Sequence, residues 1–103
     1  MSTWSERRIE ARIEQTLIDG AKARGGFAFK FAPISCVGLP DRLVLLPGGR
    51  IAFVEVKSPG EEPTPRQHFW LDKLRTLGFF ATWLQTTEQA GQLLSDMGTE
   101  ARR

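Results

Sequence analysis

Two short apolar runs flank the tripeptide Pro47-Gly48-Gly49, and no other stretch constrains the fold as much. Arg42-Leu43-Val44-Leu45-Leu46 and Arg50-Ile51-Ala52-Phe53-Val54-Glu55 read as β-strands joined by a tight turn. A three-residue loop pairs Leu46 with Arg50, and counting outward puts Asp41 opposite Glu55. A four-residue loop shifts that pairing by one position. Side chains alternate along a strand, so Glu55 and Lys57 leave the same face. Two carboxylates and an ammonium group therefore converge at one end of the hairpin.

Periodicity and punctuation organise the rest. Thr3-Trp4-Ser5-Glu6 has capping-box spacing, and Ile9, Ile13, Leu17 and Ala21 recur every four residues behind it. Gly25-Gly26 ends this helix. Phe27-Ala28-Phe29-Lys30-Phe31 alternates as a strand, with the three Phe on one face and Lys30 on the other. Pro33 to Leu39 is a loop leading into the hairpin, and Ser58 to Pro63 is a second loop. Thr64-Pro65 opens another helix, with Trp70, Leu74 and Leu77 as its core face and Gly78 closing it. Phe79 to Leu84 reads as a fourth strand. Thr86-Thr87-Glu88-Gln89 caps a short helix through about Met97, and residues 98–103 form a frayed tail. The predicted order is α-β-β-β-α-β-α, an α/β fold with a central mixed sheet flanked by helices.

At 103 residues the chain has room for one domain, residues 1–103, with a single small core. Such a core gains from pairing with a second copy. Hydrophobic and charged shares of 41% and 25% are those of a globular protein. No apolar run approaches the roughly 20 residues that cross a membrane, and no signal-peptide segment opens the chain. Cys36 has no second cysteine to pair with, which fits a cytoplasmic location. A net charge of +2 permits a polyanionic partner without demanding one.

The hairpin end has a chemical use. Phosphodiester hydrolysis needs an activated water, charge relief at phosphorus and a stabilised leaving oxygen, and a divalent cation helps with all three. Mg²⁺ takes hard oxygen ligands, so Asp41 and Glu55 are candidate ligands, with the Val56 carbonyl beside them. Lys57 can position the attacking water or offset negative charge in the transition state. Without a cation the two carboxylates repel, and one of them should titrate high. On the first helix Glu10 and Glu14 share a face, one position round from the apolar stripe. Glu14 directly follows Ile13 and is the favoured third carboxylate; Glu10 is the alternate.

Gln67 is open to two roles, one beside the site and one in the capping box Thr64-Pro65-Arg66-Gln67. Lys30, Arg42 and Arg66 are candidate DNA contacts. His68 lacks a second His or Cys ligand and reads as an exposed helix residue. Trp70 and Trp83 suit packing better than base stacking, and Arg7, Arg8 and Arg12 suit a solvated helix face.

Ile13-Glu14, Gly25-Gly26, Lys30, Gly38-x-Pro40-Asp41-Arg42, Glu55-x-Lys57 and Gln67 stand in an order and spacing that resemble the virus-type replication-repair nuclease domain, VRR-NUC. That family belongs to the PD-(D/E)xK nuclease superfamily, and the resemblance spans roughly residues 9 to 85. It implies a restriction-endonuclease-like core and a Mg²⁺- or Mn²⁺-dependent DNA endonuclease acting on branched DNA. It also implies metal ligation by Glu14, Asp41 and Glu55, a catalytic Lys57, and Gln67 beside the site. Stand-alone members from phages and bacteria resemble homodimers that resolve four-way (Holliday) junctions in a bacterial cell or phage-infected host. Members embedded in larger repair proteins resemble monomers acting on flaps. The resulting expectation is a homodimeric junction resolvase with neither organic cofactor nor membrane partner. The alternatives are a monomeric flap or nicking nuclease, and a non-catalytic DNA-binding subunit of the same fold. The loop Ser35-Cys36-Val37 is less basic than a DNA-facing loop of this kind would be.

Overall fold

A computed structural model of the chain describes residues 3–31 and 35–100, with residues 99–100 as backbone. Helix α1, Trp4–Ala23, starts at Thr3 because its first amides are satisfied there. The Thr3 hydroxyl accepts from the Glu6 N–H at 3.1 Å, and the Glu6 carboxylate accepts from the Thr3 N–H at 2.6 Å. Ile13, Leu17 and Ala21 are buried on one face, and Ile9 extends that stripe at its edge. Each large apolar side chain so buried contributes about 1.5–3 kcal/mol.

Strands β1 (Phe27–Lys30), β2 (Arg42–Leu46) and β3 (Arg50–Val56) follow as an antiparallel series. Leu46 pairs with Arg50 and Arg42 with Val54, the register of a three-residue loop. Gly48 and Gly49 sit at φ 89° and 73°, a region that residues with a Cβ adopt only under strain. Helix α2 (Pro65–Thr76) then carries the chain to β4 (Phe80–Leu84), which lies parallel to β3. Helix α3, Thr87–Glu100, comes last. The sheet order is β1-β2-β3-β4, so the mixed α/β architecture and the element order are as the sequence indicates. Among the described residues no helix is long and apolar enough to cross a membrane.

Local differences are informative. Strand β4 begins at Phe80, one residue later than its apolar run suggests. Helix α3 continues past Met97 to Glu100, and residues 101–103 of the expected tail lie outside the described residues, as do residues 32–34 of the first loop. The core face of α2 is rotated from expectation. Leu71 and Leu74 are buried against Ala81 of β4, whereas Leu77 caps the helix and stays 65% exposed. Trp70 is half-buried, and its indole N–H donates to the Val37 carbonyl at 3.1 Å.

The two sheet faces are covered unequally. Val44, Leu46, Ala52, Val54, Val56 and Leu84 pack beneath α1 and α3. On the opposite face α2 lies against β4, with Leu39, Phe53 and Trp83 around its buried leucines. No helix among the described residues packs over the β1–β2 half of that face. Phe27 and Phe29 stack there with ring centroids 5.5 Å apart and remain 58% and 38% exposed. Leu43 pairs with Phe29 and Phe53, and Leu45 with Phe27 and Ile51, so all six side chains share this face.

Candidate active site

Asp41 lies one step beyond the Arg42–Val54 pair, which brings it opposite Glu55. Its carbonyl accepts from the Phe31 N–H at 2.8 Å, so β1 holds the residue at the point where the loop enters β2. Glu55 is only 9% exposed, and no described residue donates a hydrogen bond to its carboxylate. Its pKa is pushed up to about 7, first by burial and then by the charge of Asp41. Lys57 and Arg42 pull the value back down, and Glu10 adds to the rise. The charges felt by Glu55 thus come from the hairpin end and from one residue of α1. The Lys57 N–H donates to the Leu84 carbonyl at 2.8 Å, extending the β3–β4 ladder past Val56 and fixing the backbone that carries the ammonium group.

The two helix carboxylates are engaged differently. Glu14 pairs with Arg42 at 2.6 Å, and Arg42 pairs in turn with Asp41 at 2.9 Å. Arg42 is 12% exposed along its side chain, and its Nε has no partner among the described residues. Glu10 accepts a hydrogen bond from the hydroxyl of Ser58, which is fully buried. The Ser58 N–H donates to Glu61 at 3.0 Å, and the Gln85 amide donates to the carbonyls of Ser58 and Glu61 at 3.3 and 2.7 Å. That network fastens the loop after Lys57 to α1 and holds Glu10 where its charge reaches Glu55. Glu14 touches Asp41 only through Arg42. Ser58 carried no signal in the sequence, because its partner Glu10 lies 48 positions away.

Gln67 completes the cap of α2. Its Oε1 accepts from the Thr64 N–H at 2.9 Å, and its own N–H donates to the Thr64 hydroxyl at 3.1 Å. Val56 is buried at the end of β3. Lys30 is exposed and, with Glu14 and Arg42, lines a small hollow of about 30 Å³ between α1 and the sheet edge. Arg66 is exposed on the first turn of α2, with no acidic partner among the described residues, and His68 is exposed beside it.

Among the described residues no three His, Cys, Asp or Glu side chains stand close enough to form a ready-made metal cage. The donor chemistry nonetheless suits a hard divalent cation. Glu55 is a buried carboxylate facing a second carboxylate, both offer oxygen, and a cation between them would relieve the repulsion that raises Glu55.

The sequence pattern of the VRR-NUC domain family matches residues 6–88. A solved structure described as a VRR_NUC domain aligns with a TM-score of 0.74 at 31% identity, over 84% of this chain and 94% of that one. "Putative nuclease p44" of Acyrthosiphon pisum secondary endosymbiont phage 1 is 52% identical over 58 residues. That match takes in 56% of this chain and 62% of the phage protein, so the chain spans less than two thirds of its curated relative. These likenesses support a nuclease. Because the family pattern runs through the hairpin, Asp41, Glu55, Lys57 and both helices that frame them, the chain belongs to the VRR-NUC family.

Proposed function

We propose that this protein is a metal-dependent endonuclease for branched DNA, working as a homodimer on four-way junctions. The observation that carries the reading is the placement of buried Glu55 opposite Asp41 with Lys57 on the same face. A carboxylate held in that way is unfavourable for a purely structural strand end, and it gains a purpose when a cation sits between the two acids.

Asp41 and Glu55 would hold Mg²⁺ or Mn²⁺ with the Val56 carbonyl and a carboxylate from α1. The bound ion would supply Lewis acidity and lower the pKa of a water. Glu10 has the better claim to the helix position, since its charge already acts on Glu55 and Ser58 fixes its direction. Glu14 suits the role of counter-ion to Arg42, a cation it shares with Asp41. The Lys57 ammonium, leaving β3 on the Glu55 face, orients the attacking water or meets charge developing on the phosphoryl oxygens. Lys30 and Arg66 are placed in solvent, where they can meet phosphates. Gln67 keeps its Nε2 free of any described acceptor and can serve the site while it caps α2.

Dimerisation is supported by the uncovered Phe face, which is continuous with the strand ends that carry Asp41 and Glu55. A two-fold axis on that face would set two active sites at a fixed separation, as paired incisions require.

The test is incubation with labelled four-way junction, flap and plain duplex, each with Mg²⁺, with Mn²⁺ and with chelator. Metal-dependent paired incision of the junction, lost in Asp41→Asn and Glu55→Gln, is the expected result. Cleavage confined to flaps by a monomer would move the protein to the flap-nuclease alternative, and binding without cleavage to the non-catalytic one.

A further inference from the structure

The geometry points to a stacking platform for an unpaired base, formed by Phe69 and Trp70 with Arg66 beside them on α2. This inference rests on the DNA reading above and names how a branch point would be recognised. Pro65, Arg66, Phe69 and Trp70 line an open groove of about 580 Å³. Phe69 is 57% exposed and belongs to neither buried cluster. It meets Trp70 edge-to-face, with ring centroids 5.5 Å apart, so one ring braces the other. Trp70 is pinned in turn by its bond to the Val37 carbonyl, and Val37 is itself 67% exposed. The result is a rigid apolar step with a cation at its edge.

Its location ties it to the active site. The Val37–Leu39 segment is strapped onto α2 twice. Trp70 holds Val37, and Gly38 passes so close to Arg66 that a Cβ there would lie 2.6 Å from the Arg66 Cγ. Gly38 also sits at φ 92°, so both its conformation and the space require glycine. Asp41 follows Val37 by four residues, which limits the distance between their Cα atoms to about 14 Å. A strand passing the carboxylates therefore lies within reach of the groove.

The occupant follows from the chemistry. Exposed aromatic faces accept any base, because every base has a π-face. Arg66 has no acidic partner among the described residues and matches the phosphate attached to that base. Paired bases in a duplex cannot reach such a step, whereas a base unstacked at a branch can. The platform thus selects structure over sequence, consistent with a nuclease that prefers branched DNA.

The experiment uses a four-way junction carrying 2-aminopurine at the branch, and a matched junction with an abasic site in its place, titrated with the full-length protein in chelator so that nothing is cleaved. The expected result is tighter binding of the base-bearing junction and a change in 2-aminopurine emission on binding. Phe69→Ala should weaken that binding roughly ten- to a hundredfold and erase the difference between the two junctions, while Phe69→Trp restores it. Arg66→Ala should weaken both junctions alike and flatten the salt dependence. Thermal melts confirm that each variant is folded. DNA binding by Phe69→Ala with the base preference intact would overturn the platform alone and leave the groove to a protein partner. Absence of binding to every DNA would overturn the nuclease reading together with it.

Discussion

Glu55 holds a conflict that the folded chain leaves unresolved, because burial and Asp41 both oppose its negative charge while nothing described donates a hydrogen bond to it. The consequence for stability has a definite sign. An acid whose pKa rises on folding, here from 4.5 to about 7, binds its proton more tightly in the native state. Between those values the unfolded chain holds fewer protons, so stability falls as pH rises. The contribution is complete below pH 4.5 and lost by pH 7. Glu55→Gln removes the conflict, so in metal-free buffer this variant should match the wild type near pH 4 and exceed it at pH 8, by up to about 3 kcal/mol. Denaturant melts at the two pH values check this, and a constant gap would show that the raised pKa is not the cause. Added Mn²⁺ should narrow the gap at pH 8, since ligand binding to the native state stabilises it. The neighbouring carboxylates offer a second expectation at this scale. Glu10→Gln should lower Mn²⁺ affinity at least tenfold, whereas Glu14→Gln should do so by less, because Glu14 acts through Arg42. Calorimetric titration compares them directly.

At the scale of elements, what was legible in the sequence was what neighbours in the chain decide. The Leu46–Arg50 register follows from a turn whose residues permit only a few geometries. Both capping boxes, at Thr3 and at Thr64, are local hydrogen-bond exchanges and could be read from three-residue spacing. What was hidden depends on partners far along the chain. Glu10 and Glu14 both sit one position past an apolar residue, so the pattern could not say how each is engaged; Ser58, which bonds Glu10, lies 48 residues away, and Arg42, which pairs with Glu14, lies on β2. The face of α2 was hidden for the same reason. Trp70, Leu71, Leu74 and Leu77 admit more than one apolar stripe, and Ala81 of β4 favours the one containing Leu71 and Leu74. Gln67 had two readings, of which the cap is realised in full. Gln67→Ala should therefore cost about 1 kcal/mol of stability through the cap. If its Nε2 also serves the site, Gln67→Glu, which keeps the Oε1 acceptor of the cap but loses the amide, should lose cleavage as well when assayed well below its melting temperature.

For the whole molecule, the unequal covering of the sheet is the feature that calls for a partner. Helices α1 and α3 close one face, whereas the β1–β2 half of the other leaves two stacked phenylalanines partly in water. An aromatic side chain presents about 200 Å² in all, so the exposed parts of Phe27 and Phe29 amount to roughly 3 and 2 kcal/mol of unrealised burial, respectively. Phosphates gain nothing from such a surface, but a second copy does, because a two-fold axis lets each Phe pair meet its equivalent. The protein should therefore sediment at twice 11.6 kDa at micromolar concentration. Phe29→Asp should convert it to a folded monomer, since the side chain is already partly solvated in one subunit but would be forced into the dry centre of a dimer. The same variant should still nick DNA, with its hairpin end intact, yet lose the coordinated second incision on a four-way junction. A wild-type mass near 11.6 kDa would remove the dimer, and a Phe29→Asp protein that remains dimeric and cuts both strands together would place the interface on another face.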